Sequence, residues 1–512
     1  MVQPGKAQDV STKTVQPPPV GSDSQSIAVT SVRFTGNSIY SSAILEELVA
    51  SIIGKASSLN DLRVATSAIT VRYRQAGYFL ARAYIPPQAI KDGVITIAIS
   101  EGKLADIRLE NTSRIPNSRV EAFLSNVKAG EPVNRVPIDR ALFLLQDLPG
   151  IAQADSRFTP GKETGTTTLV ASTNPSQLLT GRLEADNYGS QFTGRYRLTA
   201  SGDINSPLGF GERFSARVMY SDEDLNSGRL AGQVPLGRNG LTVISSLNHT
   251  QYALGDSFAN LDAVGKSTSG DVSLRYPIIR SATVNLYAQG GVEHRKLVDE
   301  LRSFSVRTEK HATLGTASIT TDWRDGLGGG GATQGSVTVS QGHLGIDSAD
   351  AAALDELGAQ TQGNYSKLTW NIERQQALFN RLSLGLSWRG QYASKNLDTS
   401  EKFFLGGASG VRAYPSGEGS GDHGWLASAE LRYQFTSKVM GSVFYDEGQI
   451  KVNANPFLTT PNERRLSGVG FEVSGAISSF DWRLTAAWRR TAAPVSEGDR
   501  HPRVWAQMGW RF

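Results

Sequence analysis

The sequence predicts a mainly β protein: a 16-stranded antiparallel transmembrane β-barrel preceded by two α+β domains of β-α-α-β-β order. Three observations predict it. A mixed α and β pattern of roughly 75 residues occurs twice between about 27 and 175. From about residue 178, helical periodicity gives way to strict alternation of apolar and polar residues over strand-length segments. No window of the 512 residues approaches the about 18 consecutive apolar residues of a membrane helix. That leaves a membrane barrel open, because alternating strands never read as hydrophobic overall.

Composition narrows the function classes. Lys+Arg number 52 against 48 Asp+Glu, a net charge of +4, too balanced for a nucleic-acid footprint spread over the chain. Cysteine is absent, which removes disulfide frameworks, Cys-ligated zinc, iron–sulfur clusters and thiol nucleophiles together. The opening residues Met1 to Lys6 lack the apolar core of a secretory signal, so the chain is expected either to stay inside the cell or to begin after a processed signal.

Residues 1–26, with Pro17, Pro18 and Pro19, are expected to form a polar leader. The first α+β domain, 27–102, opens with a strand at Ile27–Phe34. A helical stretch carries Ile44, Leu48 and Ile52. A second helix has Leu62, Ala65, Ile69 and Tyr73 on one face and Gly77 at its end. Strands at Phe79–Ile85 and Val94–Ser100 close it. The second domain, 103–175, repeats the order: strand 105–109, helices 118–127 and 135–148, strands 151–157 and 166–171.

The barrel spans 178–512. Its strands are expected near 178–189, 193–204, 211–222, 227–236, 240–254, 267–277, 282–294 and 310–323, then 332–342, 362–375, 382–392, 425–436, 438–448, 464–475, 480–490 and 502–512. In Arg213–Tyr220, for example, Phe214, Ala216, Val218 and Tyr220 share one face and Arg213, Ser215 and Arg217 the other. Aromatics such as Tyr220, Trp425, Phe435, Trp488 and Trp510 end the apolar faces, as an interfacial girdle requires. Sixteen strands whose polar faces carry so many charges cannot be a dry core, and they leave an aqueous bore. The longest connection is a loop over 393–424, and a short helical stretch at Ala351–Leu357 falls in another.

Several segments together resemble the two-partner secretion transporters, the TpsB family of Gram-negative outer membranes. They are Gly77-Tyr78-Phe79-Leu80 through Ile85-Pro86-Pro87-Gln88, Glu101-Gly102, Leu148-Pro149-Gly150-Ile151 and Asp186-Asn187-Tyr188-Gly189. The most specific is Gly406-Gly407-Ala408-Ser409-Gly410-Val411-Arg412-Ala413-Tyr414-Pro415, with Gly417-Glu418 and Gly421-Asp422 after it. Ala413 stands where the family's Val-Arg-Gly-Tyr type motif has Gly.

The resemblance makes the two α+β domains POTRA domains of the periplasm. It implies that the long loop folds into the lumen, where its arginine pairs with the aspartate of a Phe-x-Asp-x-Gly motif on the thirteenth strand. The matching residues are Val411, Arg412 and Tyr414 in the loop and Phe444, Asp446 and Gly448 on the strand. Alternation independently turns Ser442, Phe444 and Asp446 inward, opposite Val443 and Tyr445. The resemblance also makes the terminal Phe512 the aromatic that outer-membrane assembly machinery reads. It leads one to expect an N-terminal plug helix, which Pro-rich residues 1–26 do not favour.

The implied function is a protein-conducting channel. It would recognise an unfolded exoprotein of haemagglutinin or haemolysin type, carrying an N-terminal secretion domain, through the POTRA domains, and export it without nucleotide hydrolysis. Its other partners would be outer-membrane lipids and the assembly machinery, with no nucleic acid. The alternative is an insertase of the same superfamily; a passive porin would need neither POTRA domains nor this loop.

No enzyme, cofactor or metal site is expected. Gly326–Gly331 formally satisfies GxGxxG but opens no helix and reads as a periplasmic turn. The six histidines are scattered. Asp422 and His423 read as exposed loop charge.

Overall fold

The computed structural model describes residues 26–512, so the leader expected over 1–26 lies outside the described residues except for Ser26. The chain divides into two compact units.

The first unit contains an α+β domain. Ser31–Thr35 runs parallel to the central strand Val94–Ser100, which pairs antiparallel with Arg82–Tyr84 on its other side. The opening strand expected over 27–34 is broken at Thr30. Ile27–Val29 pairs instead with a short strand, Lys55–Ser57, that alternation is too brief to reveal. Helices Ser42–Val49 and Leu59–Gln75 cover the sheet. The second starts where it does because Ser58 and Asp61 form a capping box, each side chain accepting from the other's backbone N–H. Its face of Leu62, Ala65, Ile69 and Tyr73 packs on Ile95 and Ile97, all nearly water-free. Each large apolar side chain buried this way contributes about 1.5–3 kcal/mol.

Glu101 closes the domain. Its carboxylate accepts from the Ser38 N–H (2.7 Å), the Ile39 N–H (3.0 Å), the Tyr73 hydroxyl (2.8 Å) and the Ser38 hydroxyl. Burial alone pushes the carboxyl up, but these donors hold it below the ordinary carboxylate range.

The second repeat has the strand order 103–111, 166–175, 151–160, with helices Asn117–Leu124 and Arg135–Gln146. Within the second unit, side chains beside its helices hold the turns of the barrel. Arg119 donates to the Pro235 carbonyl and Arg140 to that of Pro277, both at 2.8 Å. Arg280 grips Asp147 bidentately at 2.8 Å while stacking over Phe143.

Sixteen antiparallel strands close the barrel. They are β1 Leu179–Asp186, β2 Arg197–Asn205, β3 Arg213–Ser221, β4 Asn226–Leu236, β5 Leu241–Ala253, β6 Ala263–Arg280, β7 Val284–Leu301 and β8 Val306–Asp325. Then follow β9 Gly331–Ile346, β10 Gly363–Phe379, β11 Leu382–Ala393, β12 His423–Thr436, β13 Val439–Lys451, β14 Glu463–Ile477, β15 Phe480–Arg489 and β16 Arg503–Arg511. β16 pairs with β1 from Gln507–Asp186 to Arg511–Arg182.

β7 and β8 run 18 and 20 residues, well past the about 9–11 that cross a bilayer. They outreach the expected 282–294 and 310–323 because their far ends are polar on both faces (Arg295, Lys296, Asp299, Glu300, Arg307, Glu309). The ladder continues where alternation stops. Gly326–Gly330 forms the turn between β8 and β9, and the helix Ala349–Leu357 lies between β9 and β10.

Candidate functional site

The connection between β11 and β12 folds back on itself. Phe403–Phe404 pairs antiparallel with Ser420–Gly421, and Gly406 bridges to Val411. Leu405, Val411, Ala413 and Tyr414 are buried against inward residues of four neighbouring strands: Leu426, Phe444 and Ile450, Leu466, and Ala487. Gly448 permits this contact, since a Cβ there would lie 2.4 Å from Leu405 Cδ1. Ala413 has no positive φ, so nothing in the backbone demands the glycine of the family motif.

This packing delivers Arg412 to the strand wall. Its Nε donates to Asp446 Oδ2 and its Nη2 to Oδ1, both at 2.8 Å, and its backbone N–H adds a third bond to Oδ2 at 3.1 Å. Nη1 pairs with Glu430 at 2.6 Å and lies 3.7 Å from Glu472, while Nη2 also reaches the Ser428 hydroxyl at 3.1 Å. The guanidinium sits 3.3 Å from the centroid of the Phe444 ring. Gly470 leaves room for that ring, because a Cβ there would lie 2.3 Å from Phe444 Cζ. The Arg412 carbonyl accepts from Trp505 Nε1 on β16 at 2.7 Å.

Charge balance explains why a buried arginine is tolerated here. Arg412, Arg432 and Arg483 face Asp446, Glu430 and Glu472, three cations against three carboxylates. Arg412 is 8% exposed and Asp446 1%. Removing one member of such a buried pair costs about 3–5 kcal/mol, because its partner is left charged without compensation.

Two further carboxylates anchor the returning limb of the loop. Glu418, fully buried, accepts from the backbone of Val495 (2.9 Å) and Ser496 (3.0 Å), from the Ser496 hydroxyl and from Arg464. Asp422 accepts from Lys402 (2.7 Å), from the Leu397 N–H (3.0 Å) and from the Ala454 N–H (2.8 Å). Asp422 is therefore a buried structural carboxylate and not the exposed loop charge expected from its neighbours. The Tyr414 hydroxyl lies 2.7 Å from that of Thr491 and donates to the Ala492 carbonyl at 2.8 Å.

Val411, Arg412, Tyr414, Phe444, Asp446 and Gly448 thus come together in one place. Phe512 does not join them. It exchanges backbone hydrogen bonds with Gly181 of β1 at the barrel's closing seam, its ring half-exposed beside Trp510. Sequence reasoning missed Glu430, Glu472 and Trp505 as partners of the loop. Alternation places all three inward, but only the strand register shows which of many inward residues meet Arg412.

A family model described as haemolysin secretion/activation protein ShlB/FhaC/HecB matches residues 165–475, and one described as a ShlB-type POTRA domain matches 27–102. The heme/hemopexin transporter protein HuxB of Haemophilus influenzae (strain ATCC 51907 / DSM 11121 / KW20 / Rd) is 28% identical over 440 residues, covering 84% of this chain and 77% of its own. Among solved structures, CdiB from Escherichia coli superposes with a TM-score of 0.79 at 20% identity, over 98% of this chain and 93% of that one. BamA from Haemophilus ducreyi lacking POTRA domains 1–3 follows more loosely, with a TM-score of 0.54 at 14% identity over 95% of this chain and 100% of that one.

Proposed function

The chain belongs to the haemolysin secretion/activation family ShlB/FhaC/HecB, and on that premise we propose that Arg412 and Asp446 latch a movable loop inside a protein-conducting channel. The barrel resides in the outer membrane with its POTRA region in the periplasm, and the protein secretes an exoprotein across that membrane. The observation that carries the latch is the convergence on one loop arginine of Asp446, Glu430 and Glu472 from three consecutive strands.

The partner is a large exoprotein of haemagglutinin or haemolysin type with an N-terminal secretion domain. Unfolded, it adds to POTRA sheet edges such as Arg82–Tyr84 by β-augmentation, which supplies backbone affinity with loose sequence demands. It then passes through the aqueous lumen and folds outside, and that folding makes the passage irreversible. Nucleotide hydrolysis has no part in it. Val411 and Tyr414 seat the loop, Phe444 and Gly448 shape its seat, and Phe512 serves insertion and not transport.

The reading is tested by depleting the protein from cells that also express a candidate exoprotein, a very long, repeat-rich secreted protein from a neighbouring reading frame. Loss of surface exoprotein with other outer-membrane barrels unchanged is the expected result. Loss of other barrels with the exoprotein unaffected would instead assign an insertase.

A further inference from the structure

Most lumen arginines hold a carboxylate. Arg182 pairs with Asp481, Arg197 with Asp186, Arg295 with Glu401 and Arg432 with Glu430, all within 2.9 Å. The wall formed by β3 to β6 differs. Apart from Arg280 at the end of β6, which grips Asp147, its inward arginines are Arg213, Arg217, Arg229 and Arg275, and none of these four has a carboxylate within ion-pair distance among the described residues. Arg213 donates to Asn205 at 3.1 Å and Arg275 stacks 4.1 Å from the Tyr287 ring centroid. Arg217 and Arg229 are directly opposed across the β3–β4 ladder, and both are exposed to the bore.

That placement is unfavourable on its own terms, because like charges facing each other across a ladder repel. The carboxylates of β2 to β6 do not relieve it. They are Asp203 and Asp271, and each accepts a serine hydroxyl instead, from Ser215 and Ser246. Around the pair the inward side chains are Ser201, Ser215, Met219, Ser227, Ala231 and Asn248, all neutral, so none supplies a carboxylate to the guanidinium forks. The loop anchors on the opposite side of the sequence, on β12 to β16, so the β3–β6 wall is not what holds it.

We propose that this wall is a contact surface for carboxylate side chains of the translocating polypeptide, with Arg217 and Arg229 as its central pair. The proposal rests on the channel reading above. Guanidinium forks match carboxylates bidentately, and a wall of one sign concentrates the opposite charge within a confined bore. Arg213 and Arg275, toward the short turns that join β2 to β3 and β6 to β7, extend the surface in the direction from which the polypeptide enters.

The test measures binding of a fluorescently labelled decaglutamate peptide to the full chain in detergent at low salt, with labelled decalysine as control. The wild-type protein should bind decaglutamate at least ten-fold more tightly than the Arg217→Ser/Arg229→Ser variant, and should not bind decalysine. An Arg217→Glu/Arg229→Glu variant should reverse the preference, a gain that misfolding cannot produce. Equal decaglutamate affinity in wild type and both variants would overturn the proposal. Full displacement of the peptide by millimolar inorganic phosphate would also overturn it, reassigning the wall to free anions. Export of the exoprotein by the wild-type chain is scored separately: if export fails while decaglutamate binding behaves as described, the channel reading falls and the anionic surface stands.

Discussion

Asp446 takes three hydrogen bonds from a single residue, two from the Arg412 side chain at 2.8 Å and one from its backbone N–H at 3.1 Å. The backbone bond matters as much as the fork. It ties the main chain of the loop, and not only a long side chain, to β13. The Trp505 indole, from β16, donates to the carbonyl of the same residue, in the next peptide unit. One residue therefore joins the loop to two strands that are not neighbours.

Gly470→Ala attacks this arrangement without touching a charge. The new Cβ would come equally close to the Phe444 ring and to the Ala486 carbonyl oxygen of β15, so it strains the β14–β15 ladder as well as pushing the ring off the Arg412 guanidinium. A cation–π contact of this kind is worth about 0.5–2 kcal/mol. Export per folded copy should fall several-fold while Arg412→Ala falls further, as measured by quantitative immunoblotting of culture supernatant.

Glu418→Ala leaves the Val495 and Ser496 N–H groups and Arg464 without their acceptor. Each buried group left unsatisfied costs about 1–3 kcal/mol. The connection 490–502 should become sensitive to protease added to intact cells, at concentrations that leave the wild-type protein uncut. A wild-type digestion pattern would show that Glu418 does not hold that loop.

Glu101 makes its domain acid-sensitive. Its folded carboxyl titrates below the ordinary value of about 4.3, so its contribution is complete above that value and is lost as pH falls through the folded one. Hydrogen-exchange protection of the peptide containing Ser38 and Ile39, corrected for intrinsic rates, should drop on acidification below about pH 4. Glu101→Gln should lower protection at pH 7 and flatten the acid response. An unchanged profile would mean that the four donors do not stabilise the charged form.

Deletion of Phe512 removes a residue remote from the loop, paired only at the β1 seam. The amount of protein inserted in the outer membrane should fall, while export normalised to inserted copies stays at the wild-type level.

Much of the barrel was legible in the sequence because one face of each crossing strand meets lipid and the other meets water, and alternation records that. It stopped being legible beyond the membrane. From His294 to Leu301, β7 is wet on both faces, so the ladder persists without a pattern. Thr30 breaks the first strand and Lys55–Ser57 is only three residues, too little for periodicity to register. In the loop, motif and parity together pointed to Arg412 and Asp446. Glu430 and Glu472 were not legible as their companions, because pairing depends on register across β12 to β14. Asp422 was misread as exposed for a related reason: its acceptor role is completed by Ala454, 32 residues away.

The most direct measurement compares exoprotein export by the wild-type chain and by Arg412→Ala, with folded barrel quantified by heat-modifiable electrophoretic mobility. The latch predicts equal amounts of folded barrel and an export per copy at least ten-fold lower in the variant. Export per copy at the wild-type level would contradict it.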